Sequence, residues 1–140
     1  MRVVLDTDVV VAGMRSPAGA SAALLMAARS RRLVLLATVA MFIEYEAVCQ
    51  RAEHREVAGL SRSEARQFLD ALAQLVEAVE GHYLWRGRLR DPNDDMVLDA
   101  AINGQADAIV TFNRKDFGTV ASEFDIEVLL PRDALRRITQ

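Results

Sequence analysis

The sequence predicts an α/β fold, a three-layer α/β/α sandwich around a mostly parallel central sheet. Short apolar runs rich in Val, Leu and Ile alternate with longer segments whose apolar residues recur at helical spacing. The strand-like runs are apolar at successive positions, so both faces of each strand should be buried. Parallel strands joined by helices satisfy both observations, because the connecting helices cover the two faces of the sheet.

The amino-terminal part of the chain predicts two strands and one helix. Arg2 to Asp6 is short and β-branched and ends in a polar residue, as expected of a buried strand. Met14 to Gly19 contains Ser-Pro and Gly, which mark a loop. Ser21 to Arg31 is rich in Ala and Leu and predicts a helix. Leu33 to Ala37 predicts the second buried strand.

Two helices are predicted in the middle of the chain. Thr38 is a suitable N-cap for a helix that runs to about Arg55. Ser61 and Glu64 have the spacing of a capping box, so a second helix should begin there and continue through Val79. Its apolar residues recur every three or four positions, which places one face against a core.

The carboxyl-terminal part predicts two helices and two more strands. After an extended piece around Tyr83 to Trp85, the segment Asp91 to Gly104 opens with Asp-Pro and ends with Gly, as a helix does. Ala108 to Thr111 and Ile126 to Leu130 are apolar and predict buried strands. Pro131 opens the last helix.

Length and composition predict a single domain over residues 1–140. Hydrophobic residues make up 51% of the chain, so disorder is not expected. The longest apolar run, Leu33 to Ile43, is too short to span a bilayer, and no secretory leader precedes the first strand. The single Cys49 can form no internal disulfide, which fits a reducing compartment. We therefore expect a cytoplasmic protein without membrane association.

The net charge of −3 is unusual for a protein that binds nucleic acid, since such proteins usually present a basic surface. Every basic residue except Lys115 is an arginine. Arginine suits bidentate phosphate contacts, but codon usage in a genome rich in G and C would produce the same bias. The charge therefore neither supports nor excludes a nucleic-acid substrate.

Acidic residues from four separate segments are predicted to meet at one edge of the sheet. Asp6 ends the first strand and Asp116 follows the strand that begins at residue 108. Asp94 and Asp95 open the helix that leads into that strand, so they start at the same edge, where parallel sheets bind ligands. Glu44 lies on the helix after the second strand. Converging carboxylates repel one another and suit hard cations, so the sequence predicts a Mg²⁺ or Mn²⁺ site for phosphoryl transfer.

Each acid taken alone also has a structural explanation. Asp6 and Asp8 are residue types that cap turns. Asp91, Asp94 and Asp95 are stabilising at a helix N-terminus, where the dipole favours negative charge. The joint placement of the acids, rather than any one of them, carries the prediction of a metal site.

Four blocks of the sequence, in order and suitably spaced, resemble the PIN-domain family, and within it the VapC-like toxins of bacterial toxin–antitoxin pairs. The resemblance implies a PIN-like fold over almost the whole chain. Asp8 departs from the pattern, because the family usually has Asn there. The most specific block is the segment from Thr111 to Phe117. The four blocks are Val3–Val11, Met41–Val48, Asp91–Ala101 and Ala108–Phe117.

The resemblance implies a role for each residue of the site. Asp94, Asp95 and Asp99 compete for the third acidic position. Asp95 and Asp99 share a helix face while Asp94 is rotated by about 100°, which favours Asp95 with Asp99. The implied set consists of four metal-binding, catalytic acids followed by two polar supports: Asp6, Glu44, Asp95, Asp116, Thr111 and Asn113.

The resemblance also implies a reaction and partners. It implies an endoribonuclease dependent on Mg²⁺ or Mn²⁺, in which a metal-activated water hydrolyses an RNA phosphodiester and leaves 5′-phosphate and 3′-hydroxyl ends. A cognate antitoxin and a homodimer are implied as well, and Tyr83 and Trp85 are candidates for the dimer contact. Arg114 and Lys115 immediately precede Asp116, so we expect them to bind RNA phosphates at the rim of the site.

Two alternatives remain at this point. Asp6-Thr-Asp8 also resembles the nucleophile motif of haloacid-dehalogenase-like phosphatases, in which Asp6 would be phosphorylated. That family needs a lysine upstream of its last acidic motif, whereas Lys115 lies downstream of Asp94 and Asp95. The other alternative is a PIN-fold module that binds RNA or protein without cutting.

Overall fold

The computed structural model describes residues 1–81 and 89–139, which pack around one apolar core. The strands of this described part are β1 (Arg2–Leu5), β2 (Val34–Ala37), β3 (Val76–Ala78), β4 (Ala108–Val110) and β5 (Glu127–Leu129). Its helices are α1 (Thr7–Arg15), α2 (Ala20–Arg29), α3 (Val39–Cys49), α4 (Ala52–Ala58), α5 (Arg62–Leu75), α6 (Pro92–Asn103) and α7 (Pro131–Thr139). Short 3-10 segments span Arg114–Phe117 and Ala121–Phe124.

The strands form one parallel sheet in the order β3-β2-β1-β4-β5. Val3 of β1 is paired with Leu35 of β2 on one side and with Ala108 of β4 on the other. α6 packs across β1, β2 and β4. Because crossovers between parallel strands are right-handed as a rule, we expect α1 to α5 on one face of the sheet and α6 on the other. The predicted α/β fold with a parallel central sheet is confirmed.

The core fixes the end of the central strand, where the first acid of the predicted site lies. Val3, Val4 and Leu5 of β1 are buried, as is Tyr45 of α3. The Tyr45 hydroxyl donates a hydrogen bond to the Leu5 carbonyl oxygen at 2.5 Å. Burial raises the pKa of Tyr45 well above its ordinary value, so the hydroxyl stays a donor. This contact ties α3 to the residue that precedes Asp6.

Two predicted helices differ from the observed ones near their ends. No helix was expected directly after Asp6, yet α1 occupies Thr7–Arg15 and shortens the predicted loop. The helix predicted to run from Thr38 to about Arg55 is interrupted: α3 ends at Cys49, and α4 begins after Arg51, whose backbone is extended. The Thr38 cap itself is confirmed, because its hydroxyl accepts from the Met41 N–H at 3.2 Å.

The helix predicted through Val79 ends earlier, at Leu75. The next residues, Val76–Ala78, form β3 and pair in parallel with β2. The edge of β2 offers this segment a ladder of backbone hydrogen bonds. This pairing stabilises a strand more than the helical spacing of the apolar residues stabilises a continued helix. The capping box is confirmed, with reciprocal hydrogen bonds between Ser61 and Glu64.

Within residues 1–81 and 89–139, no single helix is long and apolar enough to cross a membrane. The only combination that meets the length and composition requirement there is α1 with α2, which are bent by 96° relative to each other. The extended piece predicted around Tyr83 to Trp85 lies outside the described residues, as do Arg86 and Arg88.

Candidate functional site

The predicted site lies at the carboxyl edge of the sheet, where β1 and β4 end side by side. The Asp6 N–H donates to the Val110 carbonyl oxygen at 2.9 Å, so the chain is held to β4 as it leaves β1. Asp6 is then the N-cap of α1. Thr111 follows β4 directly, and α6 begins near the same edge because it must run back before entering β4. Three segments distant in sequence thus meet at one edge.

The Asp6 carboxylate is held by one hydrogen bond on each oxygen. Oδ1 accepts from the Thr7 N–H at 2.9 Å, and Oδ2 accepts from the Thr111 hydroxyl at 2.8 Å. Thr111 is fully buried and its Oγ1 also accepts from the Asn113 N–H at 3.0 Å. Burial raises the pKa of Asp6, the two hydrogen bonds oppose that rise, and the charges of Asp116 and Asp91 add to it. Thr111 and Asn113 therefore orient Asp6.

Asp8 lies beside this arrangement on the first turn of α1. Its Oδ2 accepts from the Asn113 side-chain amide at 3.0 Å and from the Phe112 N–H at 3.3 Å. Its Oδ1 is buried and has no hydrogen-bond partner among the described residues. Burial and then the charge of Asp6 raise the pKa of Asp8 to about 6. A buried carboxylate oxygen without a partner is costly, and a cation would satisfy it.

Asp94 of α6 belongs to the same group of charges. Its side chain is 8% exposed. Burial raises its pKa to about 7, and the neighbouring carboxylates contribute in the order Asp6, Asp116, Asp91 and Asp8. Asp94 is thus a carboxyl group whose charged form is disfavoured by several others nearby.

Asp95 and Asp99, which the resemblance favoured for the third acidic position, have contacts of a different kind. Asp95 Oδ1 accepts from the Leu89 N–H at 2.9 Å and so connects α6 to the segment before it. Asp99 Oδ1 accepts from the Asn103 side-chain amide at 3.1 Å, one turn further along α6. All three acids are buried, but the described contacts favour Asp94 as the one that joins the charges around Asp6.

Glu44 reaches the group from α3. Burial raises its pKa, the charges of Asp6 and Asp91 raise it further, and Arg51 lowers it. Its neighbour Glu46 instead forms an ion pair with Arg66 at 2.6 Å. The two glutamates therefore have separate surroundings, as the two-residue spacing on a helix predicts.

Asp116 lies on the 3-10 segment after β4, together with Arg114 and Lys115. All three side chains are exposed. Asp116 nevertheless raises the pKa of Asp6, Asp8 and Asp94, so it is electrostatically part of the group. Arg114 and Lys115 directly precede Asp116 in this segment, and their place at the rim of the site stays a prediction.

The group offers the donors that Mg²⁺ or Mn²⁺ prefers, but it is not a preformed metal cage. Among residues 1–81 and 89–139, no three acidic, histidine or cysteine side chains lie close enough together to hold one ion. The donor chemistry fits, because the ligands are carboxylates that repel one another and Asp8 Oδ1 is buried without a partner. Binding would therefore draw side chains together.

A cleft of about 590 Å³ opens beside Asp8 and Glu44. Its wall is formed by the apolar side chains Val11, Val48 and Val57 together with other residues of α1, α3 and α4. Sequence analysis did not identify this wall, since the residues look like ordinary positions of amphipathic helices. The remaining lining residues are Thr7, Ala12, Arg15, Ser16, His54 and Phe112.

Comparison with known proteins identifies a family and a solved structure to which this chain is similar. A family model described as the PIN domain matches residues 2–115. A crystal structure of VapBC2 from Rickettsia felis bound to a DNA fragment from their promoter contains a chain similar in fold, with a TM-score of 0.63. The alignment has 16% sequence identity and covers 91% of this chain and 98% of that chain. At that identity the likeness shows the fold. Among curated proteins, none matches this sequence.

Proposed function

This chain belongs to the PIN-domain family, and from that premise we propose that it is a metal-dependent endoribonuclease, the toxin of a type II toxin–antitoxin pair. The observation that carries the proposal is the group of mutually repelling carboxylates at the carboxyl edge of the sheet, in which burial and neighbouring charges raise the pKa of Asp94 to about 7. Such a group costs stability unless a cation binds it. Its cost therefore supports a functional role.

The proposed metal ligands are Asp6, Glu44, Asp94 and Asp116. This set differs from the one that the resemblance implies at one position, Asp94 in place of Asp95. The difference rests on the charges around Asp94 and on the hydrogen bond that the Leu89 N–H donates to Asp95 Oδ1. Asp8, through its unpartnered oxygen, is a further candidate contact.

The residues of the chain hold these acids in place for hydrolysis. When bound, Mg²⁺ or Mn²⁺ would lower the pKa of an attacking water and neutralise charge that develops on the phosphoryl oxygens. Thr111 and the Thr7 N–H fix the orientation of Asp6, and Asn113 does the same for Asp8.

The proposal includes the partners and the compartment. The structure similar in fold is a VapBC2 complex bound to promoter DNA, which supports an antitoxin partner for this chain. We further propose a homodimer, a single nuclease domain over residues 1–140, RNA as the substrate and a cytoplasmic location without membrane association. The cited PIN-domain match does not support the haloacid-dehalogenase-like alternative.

A cleavage assay tests the proposal. Purified protein is incubated with single-stranded RNA in chelator, in Mg²⁺ and in Mn²⁺, with Asp6→Asn as the matched inactive variant. We expect cleavage only with metal and only by the unsubstituted protein, and the products should carry 5′-phosphates. RNA binding without metal-dependent cleavage would instead support the non-catalytic module. Cleavage by Asp6→Asn at the same rate would place the chemistry elsewhere.

A further inference from the structure

A second pocket lies next to the cleft, at the same edge of the sheet. Its volume is about 410 Å³, and it shares Ala12, Ser16 and Phe112 with the cleft that contains Asp8. The Phe112 ring is 48% exposed, and the N–H of the same residue donates to Asp8 Oδ2. The pocket is therefore a continuation of the cleft rather than a separate surface. The other lining residues are Gly19, Ala20, Ser21, Leu130, Pro131 and Arg132.

The amino ends of two helices open into this pocket. The first residues of α2 line it, and their N–H groups have no partners within the helix. The N-cap residue of α2 is Gly19, which supplies no side-chain acceptor for them. The first residues of α7, Pro131 and Arg132, line it as well. Both helix dipoles therefore direct positive potential into the pocket.

Ser21 provides an independent indication of a ligand. It lines the pocket and is 3% exposed, yet its Oγ has no hydrogen-bond partner among the described residues. A buried hydroxyl is normally paired, because leaving it unpaired costs stability. Because Ser21 lines the pocket, a turn of its side chain toward a ligand with acceptor oxygens there would pair the hydroxyl.

The charged side chain at the rim of the pocket, Arg132, is positive, as is the potential of the two helix amino ends. Arg132 is exposed and forms no hydrogen bond or ion pair with the described residues. A positive side chain in the first turn of a helix is unfavourable with the dipole, so its position is not explained by helix stability. The nearby Asp133 is paired with Arg136 at 3.8 Å and does not line the pocket. The pocket thus combines N–H donors, a hydroxyl and a guanidinium.

We propose that this pocket binds a phosphate group of the RNA that is not the one being cleaved. The inference rests on the proposed ribonuclease function and adds the position of a neighbouring nucleotide. Phe112, exposed between the pocket and the acids, offers a surface on which the intervening base stacks. The subsite fixes the register of the strand, so that the scissile phosphate reaches the acids.

The test measures binding of a short, labelled single-stranded RNA to the full chain in chelator, where no cleavage occurs. Ser21→Ala should weaken binding about tenfold, because a hydrogen bond to a charged group is lost. Ser30→Ala, at the C-cap of the same helix, is its control: it removes the hydrogen bond from the Ser30 hydroxyl to the Met26 carbonyl oxygen but should leave RNA binding unchanged. Ser21→Ala should not lower the melting temperature, since the hydroxyl has no partner in the fold.

A second pair of variants tests the charge. Gly19→Asp caps α2 with a carboxylate, and Gly19→Asn caps it with a neutral amide of the same shape; the backbone at Gly19 (φ −84°) accepts both. Asp should reduce RNA binding more than Asn, while both maintain or raise the melting temperature. Arg132→Ala should lower the slope of binding against salt by about 0.7, the value for one phosphate contact on a single strand. Arg136→Ala is its control.

Inorganic phosphate separates the possible outcomes. An NMR titration at constant ionic strength should shift the amide signals of residues 20–22 and 132. If the protein cleaves RNA but none of these variants weakens binding, the subsite is refuted and the ribonuclease function stands. If phosphate shifts those signals but RNA does not bind, the pocket is a site for free phosphate and the RNA subsite is refuted. Metal-dependent cleavage together with weaker binding by Ser21→Ala and Gly19→Asp supports it.

Discussion

The buried carboxylates at the carboxyl edge of the sheet destabilise the metal-free fold, but they supply the negative charge that a cation needs. Asp6, Asp8 and Asp94 are wholly or partly buried, and burial is the largest cause of the raised pKa of each. Their charged forms therefore destabilise the metal-free fold, whereas a cation requires those charged forms. Neutral substitutions at these positions should then preserve folding while they remove metal binding.

The first prediction concerns pH. The pKa of Asp94 is about 7 and that of Asp8 about 6 in the folded protein, against an ordinary value of 3.8. At a pH between the ordinary value of 3.8 and the raised values of about 6 and about 7, the folded protein binds more protons than the unfolded chain. The free energy of unfolding in chelator should therefore decrease as pH rises from about 4 to about 7. Denaturant titrations at a series of pH values measure it.

A control identifies the groups responsible for this pH dependence. The double variant Asp8→Asn, Asp94→Asn should show a flatter profile, and millimolar Mn²⁺ should restore stability to the unsubstituted protein near neutral pH. Stability that rises with pH over this range in chelator would contradict the raised pKa values.

The second prediction distinguishes Asp94 from Asp95. Asp94→Asn should abolish Mn²⁺ binding, measured by calorimetry, and keep or increase stability in chelator. Asp95→Ala should lower the free energy of unfolding by about 1–3 kcal/mol, because the Leu89 N–H loses its acceptor. Asp95→Asn, which keeps an acceptor oxygen, should retain most of that stability and retain Mn²⁺ binding. Loss of Mn²⁺ binding in Asp95→Asn but not in Asp94→Asn would return the ligand role to Asp95.

The sequence located the acids but could not rank them. Strand ends, helix starts and the four blocks all pointed to one edge of the sheet. The choice among Asp94, Asp95 and Asp99 rested on ideal helix geometry, which cannot include the Leu89 N–H that Asp95 binds. The buried, unpartnered oxygen of Asp8 depends on three-dimensional packing and has no signature in the sequence.

At the level of elements, α1 couples the site to folding because its N-cap is a proposed metal ligand. Asp6 both begins the helix and accepts from Thr111. The packing of α1 against α2 and α3 forms much of one face of the sheet. Any change at Asp6 therefore acts on a helix end as well as on a charge.

The third prediction compares two substitutions at this cap. Asp6→Asn keeps an oxygen for the Thr7 N–H and removes a repelling charge, so its stability in chelator should equal or exceed that of the unsubstituted protein. Asp6→Ala loses the cap and the bond to Thr111, and should be less stable than Asp6→Asn by about 1–2 kcal/mol. Both should be inactive. Thermal unfolding in chelator measures the difference; a large destabilisation by Asn would show that the charge itself is structural.

The helix and the strand that the sequence did not predict, α1 and β3, differ from the prediction for the same physical reason. The run Val9, Val10 and Val11 is β-branched and disfavours a helix locally, yet all three side chains are buried in α1. The apolar spacing before β3 continues that of α5, and only the edge of β2 determines where the helix stops. In both cases tertiary contacts override local preference, whereas caps such as Ser61 were correctly identified because they act locally.

At the level of the whole molecule, a net charge of −3 conceals an uneven distribution. Acids from α1, α3, α6 and the segment after β4 act on one another at one edge of the sheet. Arg114 and Lys115 directly precede Asp116 in the chain, and Arg132 lines the pocket next to the cleft; all three side chains are exposed. An RNA strand would therefore meet positive charge at the rim before its phosphate reaches the acids, and bound cations would remove the remaining repulsion.

The last prediction tests this arrangement with Arg114→Ala combined with Lys115→Ala. Because two phosphate contacts are lost, RNA binding should weaken and its slope against salt should fall by about 1.4. Both side chains are exposed, so the melting temperature should stay unchanged. Exposed Arg29 and Arg31, at the opposite end of α2, provide the matched double-alanine control. An unchanged salt slope in the first variant would mean that RNA approaches from another side, and the arginines at positions 86, 88 and 90 would be substituted next.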